Sequence, residues 1–217
     1  MYIGLMSGTS LDAVDGVLAD FPQNGQPHVL ASASRALPPR LRAELLALNQ
    51  PGDNELHRAA VAANALADLY AEVVHALLRA APHLAPRAIR AIGAHGQTVR
   101  HQPQAGYTIQ LNAPARLAET TGIAVVADLR SRDVAAGGQG APLVPAFHQA
   151  VFGASQPRVI LNLGGIANIS VLPGDGGAVT GLDTGPANVL LDLWCQRHTG
   201  QAYARDGGLA AAGRAAP

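Results

Sequence analysis

The sequence contains no lysine, so all 15 of its basic residues are arginines. A Walker-type phosphate-binding loop places a lysine directly after its glycines, and the absence of lysine therefore excludes that class of nucleotide-binding protein. The single cysteine, Cys195, excludes an internal disulfide bond and a zinc site built on cysteine ligands. Acidic residues also number 15, so the chain lacks the basic excess with which nucleic-acid-binding proteins attract phosphates.

Long hydrophobic runs and a targeting sequence are also missing. No run of about 18 apolar residues predicts a membrane-spanning helix. The N-terminus enters an apolar stretch directly, without the basic start of a targeting segment. Hydrophobic residues nevertheless make up 48% of the 217 residues, which is enough for the core of one large domain or two small ones. We therefore expect a soluble, cytoplasmic protein with neither a membrane nor a nucleic acid as partner.

The hydrophobic pattern predicts an α/β protein in which strands and helices alternate. Strands are expected at residues 2–6, 14–20, 28–36, 88–94, 107–111, 123–127, 159–163, 169–172 and 178–182. Helices are expected at residues 38–49, 54–81, 113–121, 143–152 and 186–198. Asn54 is placed to cap the second and longest helix, whose apolar residues recur at helical spacing. That apolar face comprises Leu56, Ala60, Ala63, Leu66, Leu69, Val73 and Leu77.

The order of predicted elements begins again at Arg158. Each half of the chain reads strand, glycine-rich turn, strand, further strand and helix, although the two halves share almost no sequence identity. This order supports the hypothesis of a duplicated domain, with a first domain at residues 1–155 and a second at residues 156–217. We expect the second domain to be incomplete, because the chain ends soon after the first helix of that domain.

A hydroxyl-rich turn follows the first predicted strand. Residues 7–10 read Ser-Gly-Thr-Ser, so the turn offers backbone amides and hydroxyl groups to a phosphate, and Gly8 allows a ligand to approach the backbone. Asp12 and Asp15 follow at once, where a carboxylate can hold a metal ion or a substrate hydroxyl. An ordinary hairpin with a Gly-Ser turn fits this segment equally well when the segment is considered alone.

Two polar segments follow later strands. Residues 93–101 read Gly-Ala-His-Gly-Gln-Thr-Val-Arg-His at the carboxyl end of a strand, where open α/β sheets bind ligands. The alternative is a polar loop with incidental histidines, and no third ligand completes a zinc site with His95 and His101. Further along, Arg130 and Arg132 can clamp an anionic group, or can pair with neighbouring aspartates as a structural network.

The second half contains another glycine turn and an aspartate near a helix start. Residues 161–170 read as two strands joined by Gly164-Gly165, which predicts a second phosphate-binding turn facing the first. Asp183 is expected to end a strand just before Pro186 begins a helix. Asp183 can therefore act as a general base at the edge of the sheet or merely cap the helix, and capping is the better interpretation of this segment alone.

Taken together, four segments closely resemble the anhydro-N-acetylmuramic acid kinase family. They are residues 4–15, 93–101, 162–169 and 183–188. The family pattern has glycine where this chain has Ala13 and Ala187, and an alanine at the second position is strained if its φ is positive. The family belongs to the sugar kinase, Hsp70 and actin superfamily. The resemblance therefore implies duplicated ribonuclease H-like (actin-like ATPase) domains, the second of them incomplete.

The resemblance also implies an activity. Family enzymes use ATP to open the 1,6-anhydro ring of anhydro-N-acetylmuramic acid and phosphorylate O6, giving N-acetylmuramic acid 6-phosphate for cell-wall recycling. Asp183 would then be the general base for the attacking water, and Asp12 would hold Mg²⁺. The expected sugar contacts are Gln97, Thr98 and Arg130. The expected ATP contacts are Gly8, Thr9, Ser10, Leu11, Asp12, Ala13, Val14, Asp15, Gly164 and Gly165.

Alternatives to this activity stay open. A levoglucosan-type kinase uses the same ring-opening chemistry on a sugar without lactyl and acetamido groups. A non-catalytic nucleotide-binding protein would keep the fold without a complete site, whereas a phosphatase of the superfamily fits residues 183–186 poorly. Because family members run to two full-size domains, the resemblance implies that this chain is truncated, binds nucleotide weakly and turns over poorly. The full-length family is a candidate for homodimer formation.

Overall fold

A computed structural model describes residues 1–22, 26–174 and 176–214 of the chain. The chain forms two compact units, Met1–Gly140 and Ala141–Pro217. The expected boundary between residues 155 and 156 falls inside the second unit, because the helix Pro145–Phe152 packs against a strand of that unit. Residue 175 and residues 215–217 of the expected second domain lie outside the described residues.

The first unit is built on a five-stranded mixed sheet. Its strands are β1 (Tyr2–Ser7), β2 (Ala13–Asp20), β3 (His28–Ala36), β4 (Ala91–Ala94) and β7 (Val125–Val126). They lie in the order β3-β2-β1-β4-β7, with β1, β2 and β3 antiparallel and with β4 and β7 added as parallel strands. A separate antiparallel hairpin comprises β5 (Gln97–Gln102) and β6 (Tyr107–Leu111).

Four α-helices accompany these strands in the described part of the first unit. They are α1 (Pro39–Ala47), α2 (Glu55–Ala80), α3 (Pro114–Thr121) and α4 (Ser131–Ala135). Helices and a mixed sheet together confirm the predicted α/β class. The sequence pattern does not indicate α4, because its 5 residues are too few to display a helical period.

The core of the first unit lies between α2 and one face of the sheet. Alternate residues of β1 and β2, such as Ile3 and Val14, are buried, as expected for strands with one covered face. At Gly16 the helix comes so close that a Cβ atom would lie 2.4 Å from Cγ1 of Val73. The buried residues of α2 are Ala62, Ala63, Leu66, Ala67, Leu69, Tyr70, Ala71, Val73, Val74 and Leu77.

The predicted apolar face of α2 is correct from Ala63 onwards and wrong before it. Leu56 is 89% exposed and Ala60 is also exposed, because helical periodicity indicates which side is apolar but not where the helix first meets the sheet. Asn54 does precede the helix, but its φ is +51° and its side chain makes no capping hydrogen bond. The prediction that Asn54 caps α2 is therefore wrong.

Helix α2 is also long and apolar enough to cross a membrane, since its most apolar stretch has a mean hydropathy of 1.3. Within that stretch, 56% is buried inside the protein. Of the helices in the described ranges, α2 is the one that meets this criterion. Its buried side chains contact β2 and β3, as those of a core helix do.

The second unit contains a three-stranded antiparallel sheet. Its strands are β8 (Arg158–Leu163), β9 (Ile166–Leu172) and β10 (Thr180–Pro186), with β9 in the centre. Helix α5 (Pro145–Phe152) packs against β9, where Nδ1 of His148 lies 2.8 Å from Oγ of Ser170. Helix α6 (Asn188–Thr199) follows β10, and a short helix α7 (Gly208–Ala211) lies near the end of the chain.

Strand β10 extends further than predicted. The pattern places the end of this strand at residue 182 and the start of the helix at residue 186, whereas the strand runs to Pro186 and α6 begins at Asn188. Pairing with β9 carries the strand through Gly185 and Pro186, and a proline is tolerated because β10 is an edge strand. Asp183 therefore lies within a strand rather than at its end, which corrects the prediction.

We predict that Leu66→Ala lowers the free energy of unfolding by about 2–5 kcal/mol, because it opens a cavity in the core. Leu66 is 0% exposed, whereas Leu56 lies on the same helix and is 89% exposed. Leu56→Ala removes the same atoms and is expected to change the free energy of unfolding by less than about 0.5 kcal/mol. Urea denaturation followed by circular dichroism measures both variants, and equal losses would contradict this account of the core.

Candidate active site

The turn after β1 has a defined backbone conformation. The amide of Leu11 donates to the carbonyl oxygen of Gly8 at 3.3 Å and closes the turn. Leu11 adopts a φ of +53°, its side chain is buried, and its carbonyl oxygen accepts a hydrogen bond from Nε of Arg42 at 3.0 Å. A non-glycine residue in this region of φ is strained, so packing of Leu11 and the Arg42 contact hold the turn in shape.

The residues expected to contact ATP divide between this turn and β2. Oγ of Ser10 donates to Oδ1 of Asp12 at 2.6 Å, and both Thr9 and Asp12 are exposed. Ala13 begins β2, and Val14 is fully buried in the core, so its side chain does not face solvent. The turn thus presents its hydroxyl and carboxylate groups together at one end of the strand.

The backbone at Gly8 is not crowded. A Cβ atom at this position would have Oγ of Ser10, at 3.8 Å, as its nearest neighbour, so the fold itself does not require glycine there. A residue without a side chain at this turn would let an anion come close to the backbone. In the described ranges no three metal-binding side chains cluster, so a Mg²⁺ ion at Asp12 would depend on phosphate oxygens for its other ligands.

The loop after β4 is tied to the core of the first unit. Gly96 has a φ of +76°, and a Cβ atom there would lie 2.4 Å from the carbonyl oxygen of Leu111. The backbone amide of Gly96 donates to the buried hydroxyl of Tyr70 on α2 at 3.1 Å. Nδ2 of Asn112 donates to the carbonyl oxygen of Ala94 at 3.0 Å. These contacts require a glycine at residue 96 and fix the direction in which the loop leaves the sheet.

Two of the predicted sugar contacts lie on β5 and differ in exposure. Gln97 is only 2% exposed; its Oε1 accepts a hydrogen bond from Oγ of Ser7 at 2.5 Å, and its Nε2 donates to the carbonyl oxygen of Thr98 at 3.4 Å. Gln97 therefore links the end of β1 to the hairpin. The side chain of Thr98 is half-buried, and its Oγ1 accepts a hydrogen bond from Gln110 at 3.2 Å.

Arg130, the third predicted sugar contact, lies just before α4 and is half-buried. Its Nε donates to Nε2 of His95 at 2.8 Å, and its Nη1 donates to the carbonyl oxygen of Gly140 at 2.6 Å. The amide of Gly140 in turn donates to Oδ2 of Asp133 at 2.7 Å. Asp133 thus holds the glycine-rich loop around residue 140. His95, which belongs to the polar segment at residues 93–101, contacts Arg130 directly.

In the second unit, the glycine turn between β8 and β9 meets the start of α6. The carbonyl oxygens of Gly164 and Gly165 accept hydrogen bonds from the amides of Asn188, at 3.0 Å, and Ala187, at 2.9 Å. Nδ2 of Asn188 also donates to the carbonyl oxygen of Leu163 at 2.7 Å. Two of the motifs singled out from the sequence therefore lie side by side. Ala187 has a φ of −129°, so the strain that a positive φ would impose on an alanine does not arise at this position.

Asp183 is an exposed residue of β10, opposite Asn168 of β9. The register shifts directly after Asp183, where Oγ1 of Thr184 donates to the carbonyl oxygen of Ala167 at 3.2 Å. Capping of α6 by Asp183 is wrong, because Ala187 occupies the capping position and no side chain caps the helix. Because Asp183 is exposed, its carboxylate is within reach of water, as the proposed role of a general base requires.

Two asparagines that the sequence analysis did not select accompany Asp183. Asn162 of β8 pairs with Asn168, which pairs with Asp183, so the three side chains form a polar row on one face of the sheet. Oδ1 of Asn168 is buried and has no hydrogen-bond partner among the described residues. The sequence would reveal this row only through the pairing register of the three strands. That register depends on which residues form the turn at Gly164-Gly165.

Comparison with known proteins identifies close relatives. The family model for anhydro-N-acetylmuramic acid kinase matches residues 1–217. The anhydro-N-acetylmuramic acid kinase of Bordetella petrii is 63% identical over 215 residues, and that of Bordetella pertussis is 64% identical over 214 residues; each alignment covers 99% of this chain and 56% of the relative. The corresponding protein of Variovorax paradoxus is 58% identical, covering 100% of this chain and 60% of its own length. The chain thus spans somewhat more than half the length of these relatives.

We predict that Tyr70→Phe lowers the free energy of unfolding by about 1–2 kcal/mol, because it leaves the buried amide of Gly96 without an acceptor. Burial raises the pKa of Tyr70 above its usual value of 10.0, so the hydroxyl group is protonated near neutral pH. Tyr107→Phe is the matched control, since Tyr107 is 42% exposed and its hydroxyl is not part of the core. Denaturation with urea measures both variants, and a loss confined to Tyr107→Phe would contradict the prediction.

Proposed function

The chain belongs to the anhydro-N-acetylmuramic acid kinase family, and from this premise we propose that it carries the phosphate-binding turns, sugar contacts and general base of an ATP-dependent kinase for anhydro-N-acetylmuramic acid. The observation that carries the proposal is the family match over all of residues 1–217. We further propose that the enzyme is cytoplasmic and acts in cell-wall recycling. Its partners would be ATP and the anhydrosugar.

The proposed reaction joins hydrolysis of the anhydro ring to phosphoryl transfer. The oxygen of a water molecule forms a bond to the anomeric carbon, and the bond between that carbon and O6 breaks. O6 takes the γ-phosphoryl group of ATP, and ADP leaves. The proton lost by the water goes to a base, and the product is N-acetylmuramic acid 6-phosphate. Positioning of the reacting groups and charge stabilisation supply most of the rate in such transfers.

Asp183 is the proposed base. Its carboxylate is exposed on β10 and lies in the polar row with Asn162 and Asn168, so it can contact a water molecule and accept a proton. A carboxylate activates water in the same way in inverting glycosidases, where the water also attacks an anomeric carbon. The capping role that competed with this interpretation is not found in the structure.

The two glycine turns are the proposed phosphate contacts. The first comprises residues 8–15, where a Cβ atom at Gly8 would make only ordinary contact, at 3.8 Å, with the hydroxyl group of Ser10. The second comprises Gly164 and Gly165, which the start of α6 holds by backbone hydrogen bonds. Asp12 would hold Mg²⁺ together with phosphate oxygens, and the bound ion would reduce the negative charge on the phosphates.

Gln97, Thr98 and Arg130 are the proposed sugar contacts, and their side chains differ in burial. Arg130 carries a planar cation that suits the lactyl carboxylate of the substrate. The hydroxyl group of Thr98 is half-buried on β5. Gln97 is buried against Ser7, so a direct contact with the sugar would require the turn after β1 to move.

We also propose that the two units are duplicated actin-like ATPase domains, the second of them incomplete. In support, each unit contains three consecutive strands in an antiparallel meander, β1 to β3 in the first and β8 to β10 in the second. Since the chain spans 56% of the Bordetella relatives, we expect it to bind nucleotide weakly and to turn over slowly by itself. A homodimer is proposed only for the full-length family.

We predict that Asp183→Asn lowers the rate of sugar phosphorylation by about 10²- to 10⁴-fold, because an amide cannot take the proton of the attacking water. Single-turnover assays with the chain in excess over anhydro-N-acetylmuramic acid, followed by ³¹P NMR, measure formation of the phosphate ester. ATP affinity, measured by calorimetry, is expected to be unchanged. The same substitution at the corresponding aspartate of the full-length Bordetella pertussis relative gives the reference loss.

Asp192→Asn is the matched control, since it makes the same change on α6 of the same unit. We expect it to leave the rate unchanged. Wild-type activity in Asp183→Asn would show that the base is another group. A multiple-turnover rate of about 1–100 s⁻¹ for this chain, typical of kinases, would contradict the proposed slow turnover. If this chain and the full-length Bordetella pertussis relative both bound ATP but formed no product, a non-catalytic role would be favoured for this chain.

A further inference from the structure

The side chain of Arg130 is held from two directions. Its Nε donates to Nε2 of His95 at 2.8 Å, and its Nη1 donates to the carbonyl oxygen of Gly140 at 2.6 Å. Nε and the terminal nitrogens lie in the plane of the guanidinium group, so two such contacts fix the orientation of that plane. The partners stand 35 and 10 residues away along the chain, so the arrangement depends on the tertiary fold.

Only one protonation state of His95 satisfies these contacts. An arginine side chain can only donate, so Nε2 of His95 must be an unprotonated acceptor. The other ring nitrogen, Nδ1, lies 2.7 Å from the carbonyl oxygen of Gly96, which can only accept, so Nδ1 must carry the proton. The geometry therefore selects the neutral imidazole with its hydrogen on Nδ1.

His95 and Gly140 are themselves anchored. The amide of His95 donates to the carbonyl oxygen of Leu5 on β1 at 3.0 Å, which attaches the residue to the central sheet. Gly140 has a φ of +72° and donates its amide to Asp133 at 2.7 Å. A displaced arginine would leave both acceptors without this donor, so the fold favours one orientation of the guanidinium group.

We propose that His95, as its Nδ1–H tautomer, is a positioning residue that orients the guanidinium group of Arg130 for the carboxylate of an acidic anhydrosugar. This inference rests on the proposed function, because it takes Arg130 as the contact for the lactyl carboxylate. Bidentate binding of a carboxylate requires a guanidinium group in a defined plane, and the contacts to His95 and Gly140 define it. A substrate without a carboxylate gains nothing from this orientation.

The arrangement depends on pH in a defined direction. A proton on Nε2 would face Nε of Arg130, so protonation of His95 breaks the contact and places two cations together. Burial is the largest cause that lowers the pKa of His95 from its usual 6.5, and the charge of Arg130 lowers it further. The backbone of Gly96 and Ser7 acts in the opposite direction.

The other titratable groups near this contact lie around Gly140. Asp133 of α4 accepts its hydrogen bond from the amide of Gly140, and the ring of His101 on β5 approaches the same residue. Because the pKa of His95 is depressed, unfolded chains take up the proton first as the pH falls below 6.5. The stability contributed by neutral His95 is therefore present above pH 6.5 and is lost as the pH falls toward the lowered pKa.

The first test concerns the tautomer and needs no ligand. Long-range ¹H–¹⁵N correlation spectra of the histidine rings, with His95 assigned through His95→Gln, report which ring nitrogen carries the proton. At pH 7 we expect a proton on Nδ1 and none on Nε2, and Arg130→Ala should move the pKa of His95 upward. A proton on Nε2, or a wild-type pKa at or above the usual value, would overturn the proposal.

The second test concerns sugar recognition. Calorimetry compares anhydro-N-acetylmuramic acid with 1,6-anhydro-N-acetylglucosamine, which lacks the lactyl carboxylate. We expect His95→Ala to weaken binding of the acidic sugar by about tenfold or more and to leave the neutral sugar unaffected. His95→Gln should restore most of the affinity, because its amide oxygen can accept from Nε of Arg130. His57→Ala, at an exposed position of α2, is the matched control.

Two outcomes would overturn the positioning role. One is unchanged affinity for the acidic sugar in His95→Ala, and the other is an equal loss for both sugars, which a general disturbance of the loop would produce. If the wild-type chain and the full-length Bordetella pertussis relative bind neither sugar, the proposed function fails instead. The tautomer measurement still decides in that case whether His95 holds Arg130.

Discussion

The close packing of α2 against β2 is the constraint on which the first unit depends. At Gly16 the two elements leave no space for a side chain, because a Cβ atom would lie 2.4 Å from Val73. One turn before Val73 on the helix, Tyr70 is fully buried and its hydroxyl accepts the amide of Gly96. The helix thus fixes both the sheet and the loop that leaves the end of β4. Because His95 precedes Gly96 in this loop, the position of the helix also determines the position of Nε2 of His95, which accepts a hydrogen bond from Arg130.

Most strands and the buried part of α2 can be predicted from the sequence alone, because their hydrophobic residues recur with the period of the local structure. The predicted strand at residues 28–36 coincides with β3, and the apolar face of α2 is right from Ala63 onwards. The errors arise where tertiary contacts override local preference. Leu56 has the right period but lies before the helix reaches the sheet, and Pro186 is carried into β10 by pairing with β9.

The candidate site is predictable in part for the same reason. Glycine turns are local features, so the turns at Gly8 and Gly164 fall where the pattern places them. The partners of the polar side chains are not local. Ser7 and Gln97 are separated by 90 residues, and His95 and Arg130 by 35, so no spacing rule connects them. The resemblance names Gln97 as a sugar contact, but no local pattern in the sequence indicates that its side-chain amide joins β5 to the end of β1.

Buried and partly buried polar contacts of this kind determine geometry more than they add stability. A hydrogen bond inside a protein contributes a net of only about 1 kcal/mol, because the unfolded chain makes equivalent bonds with water. Leaving one partner unpaired costs more, so a site built from such pairs has few alternative arrangements. In the first unit this holds for Ser7 with Gln97, Tyr70 with Gly96, and His95 with Arg130. The hydrophobic core around α2 supplies most of the stability, and the polar pairs fix the directions of the side chains that take part in them.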